Sequence, residues 1–255
     1  MFKSVILFAV TILSVTTTIL GNIIHVPGNY TTIQAGIEAA VNGDTVLVAE
    51  GVFTGQGNSN IDFLGKQIVV ESEGSPANCI IDCQNADYGF YFHSGETENS
   101  ILRGFKVINA GEAGIYVYSA DPDIENCVLT ENNGYGIYIQ EFIGTIDNCE
   151  VSDNAEEGIR AFHCGSWFSS AAITDSRIIR NNSQGIYGQF AGLYFSNCLI
   201  ANNTGTGIYV DESDNLQVIN CTIVNNGGGI AFWQENDPYF LLVNSILSDN
   251  SGDFA

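Results

Sequence analysis

Basic side chains are scarce in this chain. Seven Lys and Arg stand against 29 Asp and Glu, for a formal charge of −22 at pH 7. A field of that sign repels phosphate backbones and anionic lipid, so nucleic acid and membrane surfaces are not expected partners. Proline is also rare, at four residues, and charged residues make up only 14% of the chain. The three histidines, His25, His93 and His163, stand apart, and no Cys-x-x-Cys or Cys/His cluster offers a zinc signature. A membrane span needs about 20 apolar residues, and nothing beyond the N-terminus supplies such a run. What is abundant is glycine, at 28 residues, and a 45% hydrophobic fraction rich in Ile, Val, Tyr and Phe. That composition favours strands over helices.

The first 21 residues have the layout of a secretory leader. Lys3 is followed by an apolar run over residues 5–15, then by Thr16, Thr17 and Thr18 towards Gly21. Thr11 and Ser14 interrupt the run, which disfavours a span. The protein is therefore expected to be secreted or at the cell surface. Seven cysteines in an exported protein would ordinarily form a disulfide framework. The odd count opposes that, and so does where the cysteines fall.

Their placement follows an internal repeat. A Gly-apolar-x-apolar-x strand begins at Gly89, Gly114, Gly136, Gly158, Gly185, Gly207 and Gly229, at intervals of 25, 22, 22, 27, 22 and 22 residues. A second mark is Asn or Asp before a small residue, with an apolar residue two places on. Examples are Asn126-Cys127 with Leu129, Asn148-Cys149 with Val151, Asp175-Ser176 with Ile178 and Asn220-Cys221 with Ile223. A third is a polar pair at Asn132-Asn133, Asp153-Asn154, Asn181-Asn182, Asn202-Asn203, Asn225-Asn226 and Asp249-Asn250. A period near 22 is too short for a propeller blade and leaves no room for a helix. It suits one coil of a parallel β-helix, each coil stacking about 4.8 Å from the last.

Identical positions then form ladders. The asparagines of the second mark are expected to stack as amides at a corner. Cys127, Cys149, Cys198 and Cys221 are expected as buried free thiols in a ladder shared with Ser100, Ser176 and Ser245. Cys79, Cys83 and Cys164 leave room for one bridge elsewhere. Ile115, Val117, Ile137, Ile139, Ile208 and Val210 point into the core. Residues 22–44 read as an N-terminal cap. Thr31 with Gln34 makes a capping box for a helix over residues 31–42, whose Ile33, Ile37, Ala40 and Val41 share one face. Strands follow from Thr45 and Gln67, and residues 45–255 carry the repeats. The last mark is Asp249-Asn250, and residues 251–255 are too short for a lid. That end is therefore expected to be closed by further chain or a partner.

The run Thr-Ile-Gln-Ala-Gly-Ile-Glu-Ala-Ala (residues 32–40) and then Gly-Asp-Thr-Val-Leu-Val (residues 43–48) resembles the entry to right-handed β-helix proteins of the pectate-lyase-like superfamily. The later Gly-Ile-Tyr and Asn-Cys repeats are similar to the short repeats of that group. The resemblance implies an all-β, right-handed parallel β-helix of about nine to ten coils with an N-terminal capping helix. It leaves activity open, since the superfamily includes lyases, hydrolases, epimerases and adhesins.

Its known chemistries are only partly represented. The Asn-Thr-Asp, Asp-Asp, Gly-His-Gly and Arg-x-Lys motifs of polygalacturonases are missing. Asp121-Pro122-Asp123-Ile124 departs from the Asp-Pro-His-Asp of alginate-type epimerases and reads as a turn. Elimination would need an Arg or Lys base and Ca²⁺. Bases come only from Lys66, Arg103, Lys106, Arg160, Arg177 and Arg180, and Ca²⁺ would have to be held by acids from different coils. No cofactor is otherwise evident.

The outward residues of the Gly-Ile-Tyr strands are more telling. One row reads Tyr91, Tyr116, Tyr138, Arg160, Tyr187, Tyr209, Ala231, and the next His93, Tyr118, Gln140, Phe162, Gln189, Asp211, Trp233. Aromatics set among amides and acids suit flat sugar rings, although a tyrosine ladder also stabilises a sheet by itself. The coil at Gly158 carries five extra residues, Arg160 in place of tyrosine, His163, and a Trp167-Phe168 pair. The candidate ligand-binding residues are Tyr118, Tyr138, Arg160, His163, Tyr187, Tyr209 and Asp211, with Arg160 and His163 the candidates for catalysis. The expected function is recognition of a polysaccharide or cell-surface glycan, with polysaccharide lyase activity an open extension. The alternatives are a structural or adhesive β-helix without a catalytic site, and a calcium-dependent lyase. Asn-x-Ser/Thr strings begin at Asn29, Asn181, Asn202 and Asn220.

Overall fold

The computed structural model describes residues 21–165, 169–213, 215–233 and 239–252. The leader up to residue 20, the Trp167-Phe168 pair and the final three residues lie outside them. Each repeat contributes three short strands, for example Asp123–Glu125, Val128–Thr130 and Tyr135–Gln140. Every one pairs in parallel with its counterpart in the next coil, such as Ile124 with Ile146, Leu129 with Val151 and Ile137 with Ile159. Three sheets of ten, nine and eight strands enclose one core, a right-handed parallel β-helix of about nine turns. Among the described residues no helix is long and apolar enough to cross a membrane.

Corners follow one rule. A single residue in the left-handed region turns the chain, and the next side chain points inward. In one coil the turning residues are Asn126 (φ 48°), Glu131 (φ 56°) and Glu141 (φ 53°), and the inward ones are Cys127, Asn132 and Phe142. Asn and Asp tolerate that region best. The expected amide stack therefore lies on the surface, where Asn148 Nδ2 donates to Asn126 Oδ1 at 3.4 Å and Asn197 Nδ2 to Asp175 Oδ1 at 3.1 Å. Asn126, Asn148, Asn197, Asn220 and Asn244 are exposed turning residues.

A second, buried amide ladder lies at the next corner, on Asn132, Asn154, Asn181, Asn203 and Asn226. Each Nδ2 donates to the Asn Oδ1 of the following coil at 2.9–3.1 Å. It also donates to a main-chain carbonyl of the preceding coil at 3.0–3.4 Å. The same Oδ1 accepts the backbone N–H of the preceding asparagine. Every polar atom of a buried amide is thus used, which is what makes its burial tolerable. The repeat glycines sit against this ladder. A Cβ at Gly158 would lie 2.6 Å from Asn181 Nδ2 and 2.7 Å from the Gly185 carbonyl oxygen. Only glycine fits there. Asn181, which opens one of the four glycosylation strings, is fully buried.

The apolar predictions stand. Ile115, Val117, Ile137, Ile139, Ile208 and Val210 are all 0% exposed. All seven cysteines are free and buried, so the bridge left open among Cys79, Cys83 and Cys164 does not form. The Cys127 N–H donates to Cys149 Sγ at 3.5 Å and the Cys198 N–H to Cys221 Sγ at 3.4 Å. Ser176 Oγ and Ser245 Oγ accept in the same way from Cys149 and Cys221. Cys164 fills the inward place that Phe142 and Ala191 take in neighbouring coils.

The N-terminal end needed two corrections. Its helix spans Ile33–Ala39, and the N-cap is Thr32, whose side chain accepts from the Ala35 N–H at 3.3 Å. Gln34 is drawn away from any capping box by the next coil: its Nε2 donates to the Asp62 carbonyl and its Oε1 accepts from the Asp62 N–H. Lys66 Nζ closes the other end on the Ile37, Glu38 and Ala40 carbonyls at 2.7–2.8 Å. A strand at Ile23–Val26 precedes the helix and pairs with Thr45–Val48, so the first sheet starts one strand earlier than Thr45. At the last described coil, Phe232, Phe240, Leu242 and Leu247 are only partly buried, and Trp233, Tyr239 and Ile246 are exposed.

Two outcomes test this architecture. Asn181→Ala should cost about 2–4 kcal/mol in urea unfolding because it strands several buried partners. The exposed neighbour Asn182→Ala should cost under about 0.5 kcal/mol. The second concerns the thiols. Burial pushes Cys79 up to about 11, and Cys83 and Cys164 up to about 12, from an ordinary value of 9.0. Their stabilisation is complete below pH 9 and lost as pH rises towards 11–12, since the unfolded thiols ionise first. The melting temperature should fall across that window. An Ellman titration at pH 8 should find no fast thiol in the native protein and seven after denaturation.

Candidate functional site

The outward face of the eight-stranded sheet carries the candidate residues in register. Tyr91, Tyr116, Tyr138, Arg160, Tyr187, Tyr209 and Ala231 pair in sequence from coil to coil. Tyr118, Gln140, Phe162, Gln189, Asp211 and Trp233 do the same one row over. A third outward row, before the ladder glycines, holds Tyr88 and Tyr135, which sequence reasoning missed because it began each strand at the glycine.

The rings form a continuous strip. Tyr91 stacks on His93 at 4.0 Å and on Tyr116 at 5.3 Å, and Tyr88 stacks on Tyr116 at 5.0 Å. Tyr138 meets Tyr116 at 5.0 Å and Tyr135 at 5.5 Å. Tyr187 and Tyr209 stack at 5.5 Å. Arg160 joins the two halves, its guanidinium carbon 5.4 Å from the Tyr135 ring and 4.8 Å from the Tyr187 ring. Tyr138 is its register neighbour, yet the contact is to Tyr135. Burial pushes Tyr116 up to about 12. Burial, then the Asp211 charge, holds Tyr187 above the usual phenol range. These two phenols are neutral at physiological pH.

Two carboxylates lie under the strip. Glu157 is 7% exposed, and its Oε2 stands 3.7 Å from Arg160 Nη1 without a hydrogen bond. Asp211 is 8% exposed; its Oδ2 accepts from Gln189 Nε2 at 2.8 Å and Tyr187 Oη at 3.3 Å, and its Oδ1 has no donor. Their burial could not be read from sequence.

The structure separates His163 from Arg160. His163 is a turning residue (φ 51°) at the end of Ile159–Phe162, about 10 Å along the strand at 3.3 Å per residue. Its ring stacks on Phe162 at 4.1 Å and meets Phe190 edge-on at 5.0 Å, a separate exposed cluster. Tyr118 is 40% exposed. Trp167 lies outside the described residues. At the strip's N-terminal end His93 Nε2 lies 3.1 Å from Asp62 Oδ2, beside an open cleft of about 700 Å³ lined by Thr32, Gln34, Glu38, Asn60 and Asp62. Among the described residues no group of three or more His, Cys, Asp or Glu side chains is placed to hold a metal ion. Most other basic residues are engaged elsewhere: Arg103 with Glu71 and Glu125, Arg177 with Glu150, Arg180 with Asp153, and Lys66 on the helix end.

A family model described as a right-handed β-helix region matches residues 9–166 and 119–254. No curated protein matches the chain in sequence. Solved structures that it resembles include the catalytic domain of Agl-KA (16% identity, TM-score 0.58, covering 87% of this chain and 46% of that one). A variant of the periplasmic alginate epimerase AlgG gives 16% identity and TM-score 0.55, with 84% of this chain and 57% of that one covered. Pectate lyase Pel9A gives 18% identity and TM-score 0.54, over 90% and 79%. The chain thus spans about half the length of two of these three. At such identities the likeness is one of fold.

The Arg160 arrangement has a measurable energetic consequence. Arg160→Ala leaves Glu157 buried without its counter-charge and should destabilise by about 1–2 kcal/mol, less than a fully buried pair because the arginine is partly exposed. Glu157→Gln in the same chain should restore most of the loss in a double-mutant cycle read by urea unfolding.

Proposed function

We propose a function from one premise: the chain belongs to the right-handed β-helix family. Its third sheet binds polysaccharide, outside the cell or at its surface. The observation that carries this reading is the unbroken strip from His93 to Tyr209, which crosses six coils, about 24 Å at 4.8 Å per coil. Stacked phenols present flat apolar faces with polar tips, the surface on which pyranose rings lie. Two of the solved structures that resemble this chain are named for polysaccharides, pectate and alginate. The leader-like start supports export.

Binding is favoured over elimination. The guanidinium of the strip is sandwiched and ion-paired, which keeps it occupied. A lyase would need a further base. The second reading, a structural or adhesive β-helix, draws on the same rings, since cross-strand aromatic pairs contribute about 0.2–1 kcal/mol each without any ligand.

A glycan array run with and without calcium, alongside an absorbance assay for unsaturated products, separates these readings. Binding without turnover is expected. Tyr138→Ala and Tyr187→Ala should each abolish or weaken it at least tenfold while shifting the melting temperature by only a few degrees. Loss of stability in both variants, with no glycan bound by the parent protein, would favour the structural role.

A further inference from the structure

We infer that the polysaccharide taken by this face is neutral and hydroxyl-rich, not a polyuronate; the inference rests on the glycan-binding reading above. A strip that held uronates would need unengaged positive charge, because a carboxylate leaves water only for a comparable partner. Arg160 is the strip's guanidinium, and it is already engaged. The Tyr135 and Tyr187 rings lie on it at 5.4 and 4.8 Å, and Glu157 neutralises it at 3.7 Å.

The opposite requirement is present. Asp211 Oδ1 and Glu157 Oε2 are buried oxygens without a hydrogen-bond donor, on side chains 8% and 7% exposed. A carboxylate only accepts, so the partner each lacks is a donor. A sugar hydroxyl is one; a uronate carboxylate is not. The tyrosine tips lean the same way. Tyr187 Oη is placed to donate to Asp211 at 3.3 Å and Tyr88 Oη to Glu112 at 2.9 Å, which leaves their lone pairs for incoming hydroxyls. Asp62 beside His93 keeps the far end of the strip negative, and the charge of −22 repels a polyanion before contact. Both donor-less oxygens are shielded from water, so a hydroxyl reaches them when the half-buried Gln189 or Arg160 side chain turns. The sugar's apolar face then lies on Tyr187 or Tyr209.

Affinity electrophoresis tests this in gels cast with galactomannan, hydroxyethyl cellulose or mixed-linkage glucan, and in gels cast with polygalacturonate or alginate, each with calcium and with chelator. The expected result is retardation by at least one neutral glycan, unaffected by chelator, and none by either polyuronate in chelator. Asp211→Asn and Glu157→Gln, which keep side-chain size, should each weaken neutral binding about tenfold with an unchanged circular dichroism spectrum. Either suffices if the other fails to fold. Retardation by polyuronate alone would overturn the neutral-ligand inference and leave glycan binding standing. Neutral binding untouched in a folded carboxamide variant would remove the two carboxylates from the site and overturn the proposal. No retardation in any gel would overturn the glycan-binding reading itself.

Discussion

The buried asparagine ladder is the constraint on which the rest of the structure depends. An amide in an apolar interior is stable only when its donors and acceptor are all satisfied. Here the partners come from the coils before and after, through the Asn154–Asn181–Asn203 chain of bonds and the carbonyls of Leu129, Val151 and Ile178. Such bonds form only when each coil sits directly beneath the next. The ladder therefore sets both spacing and register, and the glycines pressed against it, Gly158 and its equivalents, follow from the space it occupies.

Register has a consequence for the surface. In a strand a one-residue slip sends every side chain to the opposite face. With the asparagines locked, the apolar residues five and seven places beyond them, such as Ile137 and Ile139 after Asn132 or Ile208 and Val210 after Asn203, stay inside, and the tyrosines between them stay outside. A ladder built for packing thus also produces an aligned aromatic strip, without a residue dedicated to orienting any one ring. Arg160 interrupts the tyrosines without breaking the strip, because a guanidinium is flat and cationic and fits between two π faces. Its charge is answered by Glu157 beneath it. The face is therefore aromatic and acidic, with a neutralised centre.

Much of this could be read along the chain because solenoid contacts repeat. Asn-Cys, Gly-Ile-Tyr and the Asn-Asn pairs recur because each makes the same contact in successive coils, so a position's environment is visible in its copies. Where copies fail, so did the reading. Ile23–Val26 has no counterpart marks and pairs on one side only, so its strand went unseen. Thr31 was preferred to Thr32 as the cap because local spacing hid the pull of Asp62 on Gln34, 28 residues away. The buried ladder at Asn132 and its equivalents went unrecognised, since both asparagine rows recur with the same period and differ in burial, which the spacing does not show.

The sequence by itself determined the period, the fold, the inward isoleucines, the free thiols of Cys127, Cys149, Cys198 and Cys221, and the order of residues in the outward rows. All of these are properties of position within a repeat. Only the tertiary structure decided that Tyr135 and not Tyr138 packs against Arg160, that His163 turns a corner away from it, and that Glu157 and Asp211 are buried with one oxygen each lacking a hydrogen-bond donor. Those outcomes depend on rotamers and on contacts between rows. A periodicity of two along the strand and about 22 between coils says which side chains share a face, but not which of them touch.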